Sequence, residues 1–150
     1  MEISQITTFK NEHYELLLIA DPNRKLVAHY LEHSVGFQMI EEGKLVGVLV
    51  LTPINQTQIE LKNISIATKL QHQGKAQFFI QFALKYAKQK NYQEMLVGTG
   101  STSFVQLYLY QKMGFRCFDV KTNFFTDNYA DPIFENGLQL HDMLMLRQKL

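Results

Sequence analysis

The stretch of this chain best suited to chemistry is Asn63-Ile64-Ser65-Ile66-Ala67-Thr68-Lys69-Leu70-Gln71-His72-Gln73-Gly74-Lys75-Ala76. A β-branched run passes through a short polar loop into a segment whose apolar residues recur at helical spacing. Such a junction suits an anion, because unpaired backbone N–H groups and the positive end of the helix dipole meet at the helix start. Gly74 lets the backbone approach a ligand closely, and Lys69 and Lys75 can add positive charge. Taken alone, a glycine at a helix start is also what a plain N-terminal turn looks like. The five histidines and the single cysteine, Cys117, show no metal-ligand spacing, so no metal is expected.

The elements that must position this loop are readable from periodicity and punctuation. Ile3 to Phe9 reads as a strand and Asn11 to Ala20 as a helix with Tyr14, Leu17 and Leu18 on one face. Asp21 before Pro22 signals a new helix start, continued by Leu26, Val27, Tyr30 and Leu31 to about His33. Phe37 to Ile40 and Leu45 to Leu51 form a hairpin around Glu41-Glu42-Gly43-Lys44, and Ile59 to Ala67 is the next strand. Phe79, Ile80, Ala83, Leu84 and Ala87 mark a helix from Ala76 to about Lys90, followed by a short buried strand, Met95 to Val97.

Thr102 or Ser103 caps a further helix, Val105 to Met113, which Gly114 stops, and Phe115 returns to strand. Thr126 to Gly137 reads as a loop before a last strand near Gln139 to Leu146. This order predicts an α/β or α+β domain with a mixed sheet.

With 150 residues, 46% of them apolar and 19% charged, the chain is expected to fold as one domain, 1–150. A net charge of +1 and the lack of a long basic run argue against a nucleic-acid partner. One cysteine precludes an intrachain disulfide and suits a reducing compartment, so the expected location is cytoplasmic. A polar N-terminal stretch and the absence of a long apolar window predict neither secretion nor a membrane partner.

Gln71-x-x-Gly74-x-Ala76 after a β-branched strand resembles the acetyl-CoA pyrophosphate loop of the GNAT superfamily of N-acetyltransferases. Farther on, Leu109-Tyr110-Gln111-Lys112-Met113-Gly114-Phe115 resembles a second signature of that superfamily, Leu-Tyr-x-Lys-x-Gly-Phe. Two motifs in the right order are far more specific than one, and the resemblance spans essentially the whole chain. Glu60-Leu61-Lys62-Asn63-Ile64, Gly98-Thr99-Gly100-Ser101 and Asp131-Pro132-Ile133-Phe134-Glu135-Asn136-Gly137 are similar to a bacterial subgroup. The implied fold is a mixed, mostly antiparallel sheet of about seven strands flanked by about four helices, with two parallel central strands splayed apart.

The resemblance implies a cofactor site and a chemistry. Acetyl-CoA would be the co-substrate, its pantetheine arm pairing with Ile64, Ser65, Ile66 and Ala67 like an added strand. Its pyrophosphate would sit on Gln71, His72, Gln73, Gly74, Lys75 and Ala76. Ser103 stands where many relatives carry an Asn that contacts the cofactor, and as a cofactor-binding residue its hydroxyl would donate a hydrogen bond in that Asn's place. Transfer to an amine needs an acid for the departing thiolate and a base for the ammonium.

Tyr110 matches the family's general acid, a phenol of ordinary pKa about 10 against a thiol near 8.5. Glu60, at the start of the cofactor-pairing strand, matches the base, acting directly or through water. Asp127, Asp131 and Glu135 in the late loop would attract a cationic acceptor, a small-molecule or peptide amine. A homodimer is left open. The rival reading is a module that keeps the acyl-CoA groove and regulates a partner without turnover.

Overall fold

Val48, Leu49, Val50 and Leu51 are all completely buried, as four successive strand residues can be only if layers cover both faces of their sheet. The computed structural model describes residues 1–150. It contains strands β1 (Glu2–Gln5), β2 (Val35–Glu41), β3 (Lys44–Pro53), β4 (Gln58–Ile66), β5 (Glu94–Gly100), β6 (Arg116–Lys121), β7 (Phe134–Glu135), β8 (Leu138–Gln139) and β9 (Met143–Lys149). The helices are α1 (Asn11–Ala20), α2 (Arg24–Leu31), α3 (Lys75–Gln89), α4 (Phe104–Lys112) and α5 (Phe124–Asn128). Seven strands form one sheet in the order β1-β2-β3-β4-β5-β9-β6, and β7 and β8 make a separate ribbon. Only β4 and β5 pair in parallel, so the expected mixed, mostly antiparallel sheet with a central parallel pair is present.

The helices divide the core into two. Leu16, Leu17, Val27, Tyr30 and Leu31 of α1 and α2 pack with Ile6, Val48 and Val50. Phe79, Ile80, Ala83 and Ala87, one face of α3, pack with Leu49, Leu51, Ile59, Leu61, Met95 and Val97. Burying a side chain such as Phe79 or Ile80 stabilises by about 1.5–3 kcal/mol, so this face alone anchors α3 to the sheet. No helix is long and apolar enough to cross a membrane.

Two irregularities make room for a site. β4 and β5 pair from Gln58↔Glu94 to Leu61↔Val97 and no farther, although both strands continue. On its other edge β4 is out of register, with Leu61 opposite Leu51 but Asn63 opposite Val50, which leaves Lys62 as an extra residue. The bulge reverses the alternation. Leu61 and Ile64 both point to the α3 side, and Asn63 turns beneath α1, donating to Leu17 O at 3.1 Å.

Several boundaries depart from the sequence reading. α2 is capped by Asn23, whose Oδ1 accepts from Leu26 N at 3.1 Å, because the Asp21 carboxylate is engaged by tyrosines instead. β1 stops at Gln5, since after Ile6 the chain turns into α1 and Phe9 packs edge-on against His13. Ser103 precedes α4 without a side-chain cap. The presumed loop from Thr126 holds the end of α5 and the β7–β8 hairpin, elements too short to show a period. β9 runs to Lys149, because Leu146 pairs with Val97 in mid-strand.

Candidate active site

Between β4 and α3 the chain makes a 3₁₀ turn, Thr68–Leu70, and then places His72 and Gly74 in the left-handed region, at φ 62° and 83°. The loop is tied back where Gln71 Nε2 donates to Ile66 O at 3.0 Å. From His72 to Gln77 no backbone N–H finds a carbonyl in the chain, since the first α3 bond runs from Phe78 N to Gly74 O. Orphan donors at a helix start, with left-handed residues just before it, form a concave anion cradle. A Cβ on Gly74 would meet nothing within 4 Å, so what the position asks of a glycine is its left-handed φ rather than space. Lys75 Nζ sits 2.8 Å from Glu41, a hydrogen bond that holds the Glu41 carboxyl below its ordinary pKa.

The cradle opens into a cavity of about 430 Å³ running through the gap between β4 and β5. Leu61 to Ile66 form one wall and Gly98 to Gly100 the other, with Tyr110 and Leu109 of α4 alongside. These β4 residues have lost β5 as a partner, so an extended group can lie against their edge. Tyr110 is only 5% exposed, and its ring meets Phe115 edge-on at 6.0 Å. Burial alone pushes its phenol above the ordinary value, which keeps the hydroxyl protonated.

The opposite end is made of side chains from distant segments. Asp21, in the turn between α1 and α2, accepts from Tyr129 Oη at 2.7 Å and from Tyr30 Oη at 3.4 Å. Tyr30 Oη in turn accepts from Asn63 Nδ2 at 2.9 Å. Burial and, after it, the hydrogen bond to Asp21 raise the Tyr129 phenol. Burial also raises that of Tyr30, against a smaller opposite effect of Asn63. Asn63 Oδ1 and Ser65 Oγ are buried in the cavity wall without a partner. Nearby, Ser103 Oγ donates to Glu135 at 2.6 Å.

An anion cradle, a splayed parallel pair and a buried phenol thus share one cavity. The model of the Acetyltransferase (GNAT) family matches residues 4–115. The chain belongs to the GNAT acetyltransferase family. It is 38% identical over 136 residues to the N-acetyltransferase YvbK of Bacillus subtilis, an alignment covering 91% of this chain and 88% of that protein.

Among solved structures, a GNAT acetyltransferase of Elizabethkingia anophelis with acetyl-CoA bound is 40% identical, with a TM-score of 0.96 and coverage of 99% and 97%. A Bacillus subtilis acetyltransferase in complex with CoA is 36% identical, with a TM-score of 0.93 and the same coverage.

In this acetyltransferase the residues singled out from sequence are unevenly placed. Ile64, Ser65, Ile66, Gln71, His72, Gly74, Lys75, Ala76, Ser103, Tyr110 and Glu135 line the cavity. Ala67 and Gln73 lie outside its wall, as do Asp127 and Asp131, both exposed. Glu60 is also outside it, with Lys62 Nζ 3.5 Å away. Ser103, whose hydroxyl was a candidate donor to the cofactor, donates to Glu135 instead. Asp21, Tyr30, Asn63 and Tyr129 were not anticipated as site residues. Asp21 carried only a helix-start signal, and no spacing connects it with a tyrosine 108 residues away.

Proposed function

We propose that this protein is an N-acetyltransferase that moves the acetyl group of acetyl-CoA to a primary amine of a small molecule or peptide, by direct attack in a ternary complex. The observation that carries this reading is that His72, Gly74, Lys75, Ala76 and Gln77, whose N–H groups are unpaired, and the buried Tyr110 line one cavity at the β4–β5 gap. The cradle suits the pyrophosphate, with Lys75, paired to Glu41, beside it. The free edge of β4 suits the pantetheine, whose amides can pair with a strand that has lost its neighbour. The thioester then lies between Tyr110 and the end of the cavity that holds Asp21.

The amine nitrogen attacks the thioester carbon, the C–S bond breaks, the sulfur takes the Tyr110 proton, and the proton shed by the new amide nitrogen returns the phenolate to its neutral form through water. A raised phenol remains an adequate acid here, because the same desolvation disfavours a bare thiolate. The ammonium proton must leave first. Glu60, outside the cavity wall and paired with Lys62, can take it only through an intervening water.

Thiol release from acetyl-CoA over a library of primary amines tests this function. Amine-dependent release with one acetylated product per thiol is expected. Tight CoA binding with no turnover on any amine would support the regulatory acyl-CoA module instead.

A further inference from the structure

The end of the cavity opposite the anion cradle holds hydrogen-bond acceptors in excess of donors. Asp21 lines it half-buried and is in no ion pair. Its two oxygens take hydroxyl donors from Tyr129 and Tyr30 and, at 3.3 Å, the N–H of Asn23. Both phenols stay protonated, so they donate to the carboxylate as neutral groups and bring no countercharge.

The second observation is Asn63, 4% exposed and part of the same wall. Its amide orientation is settled by Leu17 O, which can only accept, so the nitrogen faces Leu17 and Tyr30. That leaves Oδ1 buried with no donor at all. An unmade hydrogen bond of this kind is costly unless a ligand supplies the donor. Lys62, the one lysine on this stretch of wall, lies 3.5 Å from Glu60 and rests over the Tyr30 ring at 5.4 Å.

A carboxylate without a cation, beside an amide oxygen without a donor, calls for a group that is both cationic and rich in N–H. We propose that Asp21 is the anchor that selects a protonated primary amine as acceptor, with Asn63 Oδ1 as the companion acceptor and Tyr30 and Tyr129 as positioning residues. Phe125 and Tyr129, whose rings stack at 5.6 Å, flank this end and suit an apolar or aromatic body behind the ammonium. The anchor acts in the encounter complex, before the ammonium gives up its proton. The proposal rests on the acetyltransferase reading, and it narrows the acceptor to amines that arrive charged.

The test is calorimetry on the protein saturated with CoA, using alkyl and aryl-alkyl primary amines, 2-phenylethylamine among them, and for each the alcohol of the same shape. In the unaltered protein at least one amine should bind more tightly than its alcohol. Asp21→Asn should weaken that amine by about 10- to 100-fold, the loss of one charge-assisted hydrogen bond, and leave the alcohol unchanged. Tyr129→Phe, which removes the 2.7 Å contact and keeps the ring, should give a smaller loss in the same direction.

CoA affinity measured on the same samples separates the two readings, since failure to bind CoA would break the acetyltransferase assignment itself. With CoA bound, no amine preferred over its alcohol, or an amine affinity unmoved by Asp21→Asn, would overturn the anchor. A merely structural Asp21 would lower the melting temperature and weaken amine and alcohol alike.

Discussion

The two ends of the cavity are built by opposite means. The cradle end comes from one continuous piece of chain, and its donors are backbone N–H groups that any sequence possesses, exposed here by two left-handed residues and a helix start. The end around Asp21, the proposed amine site, is assembled from the α1–α2 turn, α2, β4 and the chain leaving α5, and its polar groups are side chains. A backbone site tolerates changes of side chain but not of φ. A side-chain site responds to the loss of a single oxygen.

Tyr110 lines the same cavity, and removing its hydroxyl should have the largest effect. Tyr110→Phe keeps the ring against Phe115, so the fold should survive while kcat falls about 10- to 1000-fold. CoA affinity should stay near that of the parent protein. A single-turnover rate equal to the parent's would mean that another group protonates the thiolate.

Next in size is the backbone device. Gly74→Val forces a β-branched residue to φ 83°, a strain of about 1–3 kcal/mol, and puts a side chain where the pyrophosphate should lie. CoA affinity should drop at least about tenfold. Gln73→Ala, in the same loop with an exposed side chain, should leave it within about twofold. Calorimetry giving the reverse order would show that side chains, not N–H groups, hold the cofactor.

A smaller effect distinguishes the acidic residues of the late segment. Glu135 lines the cavity, so Glu135→Gln should raise the acceptor KM by about three- to tenfold with CoA affinity unchanged. Asp127→Asn and Asp131→Asn, on exposed residues outside the wall, should leave KM where it was. Equal shifts from all three would point to a diffuse field rather than a contact.

The smallest effect appears only in alkali. Tyr30, Tyr110 and Tyr129 have folded pKa values above the unfolded value near 10, so the folded state holds their protons longer. Their contribution is complete below pH 10 and is lost as pH climbs above it. Stability should fall with rising pH there, and Tyr110→Phe should remove about 1.4 kcal/mol per pH unit of that fall. Denaturant midpoints from pH 9 to 11 would reveal it, and parallel curves for parent and variant would contradict the burial of the phenol.

The cradle was legible in the sequence because strand, loop, glycine and helix are consecutive, and local chemistry is what a sequence displays. The core face of α3 was legible for a similar reason, since Phe79, Ile80, Ala83 and Ala87 repeat at the helical period. The position of Tyr110 in its motif marked a candidate acid, but only packing against Phe115 and the sheet made it a buried, proton-retaining phenol.

The bulge at Lys62 left no trace in the spacing, although it decides that Asn63 faces α1 and Tyr30. Asp21 read as a cap because its helix-start pattern was local, whereas the hydroxyls that claim its oxygens belong to Tyr30 and to Tyr129, 108 residues away. The sequence by itself determined the elements and the anion loop, which depend on neighbours along the chain. Only the tertiary structure decided the surroundings of Asp21, because a carboxylate takes the strongest donors within reach in space, and which donors those are is settled by how the sheet and helices pack.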